Sequence, residues 1–263
     1  MKQVQHILFW MFLIVLPLTG CDASSNEIPN PTPVEGIISV LPQTGLKNAQ
    51  PTPSTKAVND ARLTYTFEVW TSGSDSRCVL HRTATGTLLG GTSFEISLIP
   101  GTYDLLFWAD YGTENYTTLN LQAVKRKTTP YTAGENQDAF ACALRNHEWN
   151  GGGFSATLTR PLTKLTIQNT KPFSQALPVS VTYDNLYTSY NVLTGEAFDP
   201  QPSTVTTFQT TSGSTFIGED FLFVPSAGEE QISLSITANN TTQSLGTLPL
   251  QTNYKTNITA SFD

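Results

Sequence analysis

Short segments in which apolar and polar residues alternate recur along most of this chain, and they limit its fold more than any other feature. The clearest is Leu63–Trp70, whose period of two is that of a strand with one buried face. Tyr103–Ala109 is more continuously apolar, which predicts a central strand covered on both faces. No segment keeps a helical period over three turns, and only Asp138–Leu144 is compatible with a short helix. Many short strands separated by turn signals predict an all-β chain built from β-sandwiches.

The remaining predicted strands fall into two groups, which suggests two domains. They are Val34–Leu41, Cys78–Thr83, Phe94–Leu98, Phe154–Leu158, Leu162–Gln168, Val179–Tyr183, Phe221–Val224, Ile232–Ile236 and Thr256–Ala260. Residues 42–61 are rich in Pro and Thr and predict a long loop. We place the division near Thr159–Thr163, which gives an N-terminal β-sandwich at 34–160 and a C-terminal one at 161–263.

The first residues have the character of an export signal. Lys2 precedes an unbroken apolar run, Ile7–Leu16, which is shorter than the roughly 20 residues that a membrane-spanning helix needs. The run leads into Leu18-Thr19-Gly20-Cys21, the pattern that precedes a lipid-accepting cysteine. We therefore predict a lipoprotein signal peptide at residues 1–21, with Cys21 carrying acyl chains such as palmitate that anchor the chain in a membrane. The polar, proline-rich residues 22–33 predict a tether between the lipid and the fold.

The charge of the chain argues against nucleic acid as a partner. The formal net charge is −7, whereas phosphate contacts require a basic face. Lys125-Arg126-Lys127 is the one basic cluster, and its setting favours a solvated edge or loop over an anion site.

No constellation of residues predicts catalysis, a metal site or a cofactor. His81 and His147 lie far apart, whereas zinc sites draw three or four ligands with short spacings. A nucleophile elbow and a phosphate-binding glycine loop are both missing from the sequence. Two acid pairs, Asp104 with Asp110 and Glu229 with Glu230, would suit glycoside hydrolysis if they met in space, but nothing in the sequence brings them together. We expect no enzyme.

Two cysteines and several aromatic residues leave alternatives open. Export permits a disulfide between Cys78 and Cys142, but the Cα atoms would have to lie within about 7 Å, so a free pair is equally compatible with the sequence.

Trp70 and Trp108 lie in apolar strands and predict core packing. Trp149 and Tyr111 lie in polar surroundings and are the better candidates for an exposed contact.

Several motifs together resemble the fimbrillin-like lipoproteins of Gram-negative anaerobes, a group that includes pilus shaft, tip and anchor subunits. The resemblance spans roughly residues 62–263. It is carried by the segments Phe67–Trp70, Pro100–Tyr111, Asp138–Phe140, Leu158–Leu165 and Asn253–Ile258.

This resemblance implies two transthyretin-like β-sandwiches in tandem and export to the outer membrane, on the cell surface or within fimbriae. In polymerising members, a protease cuts after an arginine behind the first strand, and a strand from another pilin-like subunit fills the groove that is left. The matching elements here are Val34–Leu41 and Arg62. The resemblance thus implies a structural or anchor subunit that serves adhesion.

A second reading is a surface module that binds a glycan or a host protein. The irregular residues 110–137 and 145–153 are the loops that would make such a contact.

Overall fold

The computed structural model describes residues 30–48, 60–112 and 114–262, and nearly all of its regular structure is β-strand. The strands of the first half are β1 (Val34–Pro42), β2 (Arg62–Thr71), β3 (Cys78–Thr87), β4 (Thr92–Leu98), β5 (Gly101–Asp110), β6 (Tyr116–Thr117), β7 (Val124–Arg126), β8 (Ala139–Trp149) and β9 (Gly152–Leu158). Those of the second half are β10 (Leu162–Asn169), β11 (Pro178–Asp184), β12 (Leu186–Asn191), β13 (Glu196–Gln201), β14 (Thr204–Gln209), β15 (Phe216–Phe223), β16 (Ser233–Ala238), β17 (Thr241–Thr247) and β18 (Lys255–Ala260). Two 3₁₀ turns, Leu121–Ala123 and Glu135–Gln137, complete the described elements.

The first half forms a sandwich of two sheets with the strand orders β4-β1-β9 and β3-β2-β5-β8. Alternate side chains of each sheet point inward and form one apolar cluster between them. Phe67 and Phe107 stack at its centre, with ring centroids 4.7 Å apart, and Phe94 packs against Phe67 from the opposite sheet. The period of two seen in the sequence is therefore the inward-and-outward alternation of this sandwich.

The second half repeats the same arrangement. Its sheets have the orders β15-β10-β18 and β14-β11-β16-β17. In each half the central strand of the three-stranded sheet, β1 or β10, is antiparallel to one neighbour and parallel to the other. The four-stranded sheets are antiparallel throughout in both halves. Seven strands of each half thus correspond one to one in chain order.

A fifth sheet joins the two sandwiches. Its order is β13-β12-β7-β6, so it combines a hairpin inserted between β5 and β8 with one inserted between β11 and β14. Leu106 and Trp108 belong to the same apolar cluster as the inward-facing residues of the second sandwich, whereas Leu105 and Phe107 belong to the first. β5 is consequently buried on both faces, as its apolar sequence predicts.

A buried ion pair fixes this joint. Arg126 of β7 and Asp220 of β15 are fully buried, with Nη2 and Oδ1 2.8 Å apart. Tyr131 donates its hydroxyl to the other carboxylate oxygen at 2.5 Å, and its ring lies under the guanidinium of Arg126. Arg126 also donates to the carbonyl of Phe221. The basic cluster therefore does not lie wholly in solvent: its middle residue is buried, and Lys125 and Lys127 are exposed.

The structure confirms the predicted all-β class and the arrangement in β-sandwiches. The short helix predicted at Asp138–Leu144 is wrong, because these residues begin β8 and pair with β5. Residues 110–137, predicted to be irregular, contain β6 and β7 and contribute Leu121 and Val124 to the core. The domain limits 34–160 and 161–263 stay a prediction. Within the described part of the chain, no helix is long and apolar enough to cross a membrane.

We predict that Arg126→Met destabilises the fold strongly, because it leaves the carboxylate of Asp220 buried without its cation. Breaking one side of a buried pair costs about 3–5 kcal/mol. Lys125→Met, on the exposed adjacent position of β7, is the matched control and should change the free energy of unfolding by about 0.5 kcal/mol or less. Denaturant unfolding of both variants measures the difference, and equal losses would contradict this role of the pair.

Candidate functional site

The first strand occupies the middle of a sheet although it begins the described fold. β1 pairs in antiparallel register with β4, from Val34 opposite Leu98 to Val40 opposite Thr92. It pairs in parallel register with β9, from Gly36 beside Gly152 to Pro42 beside Leu158. A strand in this position has hydrogen bonds on both edges, so its departure would expose the edges of both neighbours.

The inner face of β1 fills part of the core. Ile38 and Val40 are buried in the first sandwich, whereas the alternate residues Ile37 and Leu41 remain 51% and 47% exposed on the outer face. A strand that replaced β1 would therefore need apolar residues at the positions of Ile38 and Val40 to close the core.

A glycine lets β1 approach its neighbours closely. A side chain at Gly36 would overlap the carbonyl oxygen of Gly152 and the indole ring of Trp149. Trp149 is 1% exposed, so the prediction that it makes an exposed contact is wrong. The ring lies under β1, and its burial comes from this packing, which the polar residues around it in the sequence did not indicate. Trp108 is fully buried, as predicted, and Trp70 is half-buried.

The residues that follow β1 lie along the second sandwich. The backbone N–H of Gln43 donates to Leu158, and that of Lys47 donates to Asn253 at 3.0 Å. The side-chain amide of Asn48 donates to the carbonyl of Lys255 and accepts from its N–H, both at 2.8 Å. β1 and the residues after it are therefore held by both sandwiches.

Arg160 connects three chain segments at this point. It donates to both carboxylate oxygens of Asp138, at 2.6 Å from Nε and 2.7 Å from Nη2, and to the side chain of Asn253 at 2.9 Å. It also donates to the carbonyl of Thr44, at 3.2 Å. Its guanidinium lies over the ring of Phe140. Burial raises the pKa of Asp138, and the hydrogen bond and the charge of Arg160 oppose this rise.

This network explains three of the motifs that carry the family resemblance. Asp138–Phe140, Leu158–Leu165 and Asn253–Ile258 are distant in sequence, and the structure brings together one residue of each around Arg160. No local pattern in the sequence pairs them, because the contacts depend on how the sheets fold back on one another. The motifs thus mark a junction between the sandwiches and the chain that follows β1.

Arg62 is exposed and begins β2, opposite Thr87 of β3. Its neighbour Ala61 accepts a hydrogen bond from the N–H of Leu88. Residues 49–59, which lead to it, lie outside the described part of the chain, as do Cys21, the predicted signal at 1–21 and most of the tether at 22–33. Cleavage after Arg62 and lipidation of Cys21 stay predictions.

Cys78 and Cys142 are free thiols in the structure. They lie on β3 and β8, the two outer strands of the sheet β3-β2-β5-β8. Three strand spacings of about 4.8 Å separate them, which is well beyond the Cα separation that a disulfide allows. The alternative of two free thiols is therefore the one that the structure shows.

The other acid residues that the sequence singled out do not converge. Asp104 accepts from the N–H of Asn146, and Asp110 accepts from the indole of Trp108 and the N–H of Gly112, at opposite ends of β5. The described residues contain no group of three or more His, Cys, Asp or Glu that could hold a metal ion.

Sequence reasoning missed two fully buried carboxylates, Asp220, which pairs with Arg126, and Glu68. Glu68 is 1% exposed and accepts hydrogen bonds from the indole of Trp70 and from the N–H of Leu121, and it pairs with Nδ1 of His81 at 2.9 Å. Its sequence position, on an alternating strand, gave no signal of this burial. These contacts hold the 3₁₀ turn at Leu121 against β2.

A family model described as a family of unknown function (DUF6562) matches residues 36–262. The chain belongs to this family. No protein of curated function matches the sequence.

Solved structures share the fold at low sequence identity. A candidate polysaccharide-binding protein (DUF1812) from Bacteroides thetaiotaomicron VPI-5482 has a TM-score of 0.56 at 10% identity, covering 87% of this chain and 91% of the other. A candidate adhesin from Bacteroides ovatus has a TM-score of 0.52 at 13% identity, covering 87% and 89%. The fimbrial anchor protein Mfa2 from Porphyromonas gingivalis has a TM-score of 0.49 at 14% identity, covering 81% and 83%. The first two show that this chain has the fold of such proteins.

We predict that Gly36→Ala loosens β1, because the added methyl group must displace either the ring of Trp149 or the backbone of β9. Overpacking of this kind costs about 1–3 kcal/mol. The matched control is Gly45→Ala, since a methyl group at Gly45 meets no atom within 4 Å. Hydrogen exchange of the β1 amides should accelerate in the first variant only. Equal exchange in both would show that this contact does not hold the strand.

Proposed function

We propose that this chain is a structural or anchor subunit of a fimbrium-type assembly, exported to the outer membrane with lipid on Cys21. The observation that carries the proposal is the position of β1, which fills the middle of a sheet and is joined to β2 by a long connection. Its removal would leave a groove with the edges of β4 and β9 on either side. An extended segment of another subunit would fill that groove by pairing with both edges.

The chemistry of the groove defines what the incoming segment must offer. Two inward apolar residues two positions apart would replace Ile38 and Val40, and a glycine or a similarly small residue would be needed beside Trp149. A carbonyl in the position of Thr44 would restore the contact with Arg160. The name of one structural neighbour, a candidate adhesin, agrees with such a role.

Arg62 is the processing site in this proposal. It is exposed, and it stands where the long connection ends and β2 begins. Cleavage after it would separate β1 covalently from the rest of the fold, so that β1 would be held by non-covalent contacts alone. Retention of β1 instead would correspond to an anchor subunit.

We predict that Arg62→Ala prevents processing in the cells that produce the chain. The mature protein should then keep its N-terminal segment, whereas the unmodified chain should start at Leu63. Intact-mass measurement and N-terminal sequencing check this. Arg77→Ala, at another exposed arginine in a turn between strands, is the control and should be processed normally. If the unmodified chain is found to retain β1, cleavage after Arg62 does not occur, and the proposal is reduced to an anchor subunit.

A second prediction tests strand exchange itself. Ser39 of β1 and Ser93 of β4 are opposite each other, with their hydroxyl oxygens 3.3 Å apart. The pair Ser39→Cys and Ser93→Cys, in a chain whose Cys78 and Cys142 are replaced by serine, should form a disulfide that keeps β1 in place. After cleavage following Arg62, this variant should fail to take up a labelled peptide of residues 34–48, and a reducing agent should restore uptake.

The control disulfide joins Ser180 to Thr207, the corresponding type of pair across β11 and β14, with hydroxyl oxygens 3.4 Å apart. It should leave peptide uptake unchanged in both redox states. Uptake by the oxidised β1–β4 variant, or no uptake by any form, would overturn strand exchange.

A second candidate function is the binding of a glycan at the cell surface. It is favoured by a cleft beside β8 that combines cationic, aromatic and hydroxyl side chains. The name of one structural neighbour, a candidate polysaccharide-binding protein, agrees with it. The two segments predicted to bind are only partly loops, because residues 110–137 contain β6 and β7 and residues 145–149 and 152–153 belong to β8 and β9. Of these two segments, the cleft is lined by Arg145 alone.

A further inference from the structure

A cleft of about 440 Å³ lies between the two sandwiches, away from the outer face of β1. One wall is the free edge of β8, a second is the end of β9, and the third is the turn between β12 and β13. β8 and β9 are paired where Ala141 and Thr159 exchange backbone hydrogen bonds. This volume is within the range of about 300–1,000 Å³ that small ligands occupy in proteins.

The cleft is cationic on an acidic molecule. Arg145 and Arg160 line it, and none of the residues that line it is Asp or Glu. Arg160 is committed to Asp138 and Asn253. Arg145 is exposed and forms no ion pair or side-chain hydrogen bond within the described part of the chain. The chain as a whole has a net charge of −7, so this local excess of positive charge favours an anionic ligand.

Tyr190 supplies a fixed aromatic surface next to Arg145. One face of its ring stacks on Phe223, with centroids 5.3 Å apart and planes 6° apart, so the ring cannot turn freely. Arg145 and Tyr190 both line the cleft. Burial raises the pKa of Tyr190 to about 12, and the charge of Arg145 opposes the rise. The hydroxyl of Tyr190 donates no hydrogen bond to any described residue and so remains available to a ligand.

Hydroxyl and aliphatic groups complete the lining. Thr157, Thr159 and Thr252 offer three hydroxyls, and Leu193 and Pro161 offer apolar surface. A guanidinium, an aromatic ring and several hydroxyls in one recess match a sugar ring that carries a carboxylate, because the guanidinium takes the acid, the ring packs on the apolar face and the hydroxyls bond to those of the sugar.

We propose that this cleft binds a carboxylate-bearing sugar residue of a surface or host glycan, with Arg145 holding the carboxylate and Tyr190 the sugar ring. The inference rests on the glycan-binding candidate above and names its ligand class. It does not depend on strand exchange. An acidic peptide added to the free edge of β8 would use the same arginine, but it would leave the three threonine hydroxyls and the ring of Tyr190 without a specific role.

Two acidic probes and one neutral probe test the proposal on the full chain. Isothermal titration and ligand-observed NMR would use tetragalacturonate, 3′-sialyllactose and, as the neutral comparison, maltotetraose. Binding of either acidic sugar and not of maltotetraose is the expected result, and the acidic sugar that binds shows whether a uronic or a sialic acid is the source of the carboxylate.

Arg145→Gln should weaken binding of the acidic sugar at least tenfold, because a charge-assisted bond to the carboxylate is lost. Arg82→Gln, at an exposed arginine outside the cleft, is the matched control and should bind like the unmodified chain. Tyr190→Leu tests the aromatic surface, with the thermal unfolding midpoint measured alongside so that a loss of fold is recognised.

The proposal is overturned if neither acidic sugar binds, if maltotetraose binds equally, or if Arg145→Gln has no effect. It is also overturned if a poly-glutamate peptide binds the cleft in preference to both acidic sugars. None of these outcomes changes peptide uptake by the groove of β1, so the assembly proposal stands or fails separately.

Discussion

Two buried arginine–aspartate pairs set the geometry on which the rest of this molecule depends. Arg126 joins the inserted hairpin of the first sandwich to Asp220 of the second, and Arg160 joins Asp138 to the segment that precedes the last strand. Removing two charges from water costs free energy, and their attraction offsets this cost only when the two side chains keep one well-defined geometry. Such a pair therefore specifies the relative position of the strands that carry it more than it adds to the free energy of unfolding. The bridging sheet and the cleft beside Arg145 both require the two sandwiches to stay in that one arrangement.

The inserted hairpins explain why the joint is so extensive. Each sandwich has the same seven strands, and each carries one insertion at a different place in its chain order. The two insertions pair with each other through β7 and β12, and residues of both belong to the apolar cluster that contains Trp108 of β5 and the core of the second sandwich. Trp108, Tyr190 and Phe223 meet where the insertions cross the cores. A chain of two simple sandwiches would have only a small contact surface between them, whereas this chain shares one apolar cluster.

The sequence predicts the fold best for strands whose own residues indicate which of their faces are buried. Tyr103–Ala109 shows burial on two faces directly in its composition. The alternation of Leu63–Trp70 predicted one buried face, whereas the structure also buries Thr66 and Glu68 on the other face. Short or polar strands such as β6, β7 and β17 escaped prediction, because they are held by backbone pairing with other strands rather than by apolar faces of their own. The candidate functional site was also only partly predictable from the sequence, for the same reason. The buried position of Trp149 and the meeting of three motifs at Arg160 depend on contacts across the fold that no local pattern contains.

The correspondence between β1 and β10 explains why we assign the proposed strand exchange to the first sandwich. Both strands are central in three-stranded sheets with the same antiparallel and parallel neighbours. β10 follows β9 after three residues that include Arg160, and its Lys164 pairs with Glu219 of β15 at 2.8 Å, so its departure would break the junction of the sandwiches. β1 has no ion pair among the described residues and is joined to β2 by residues 43–61. The same fold position therefore has a short connection and an ion pair in one sandwich and a long connection without an ion pair among the described residues in the other, and the difference arises from connectivity rather than from the sheet itself.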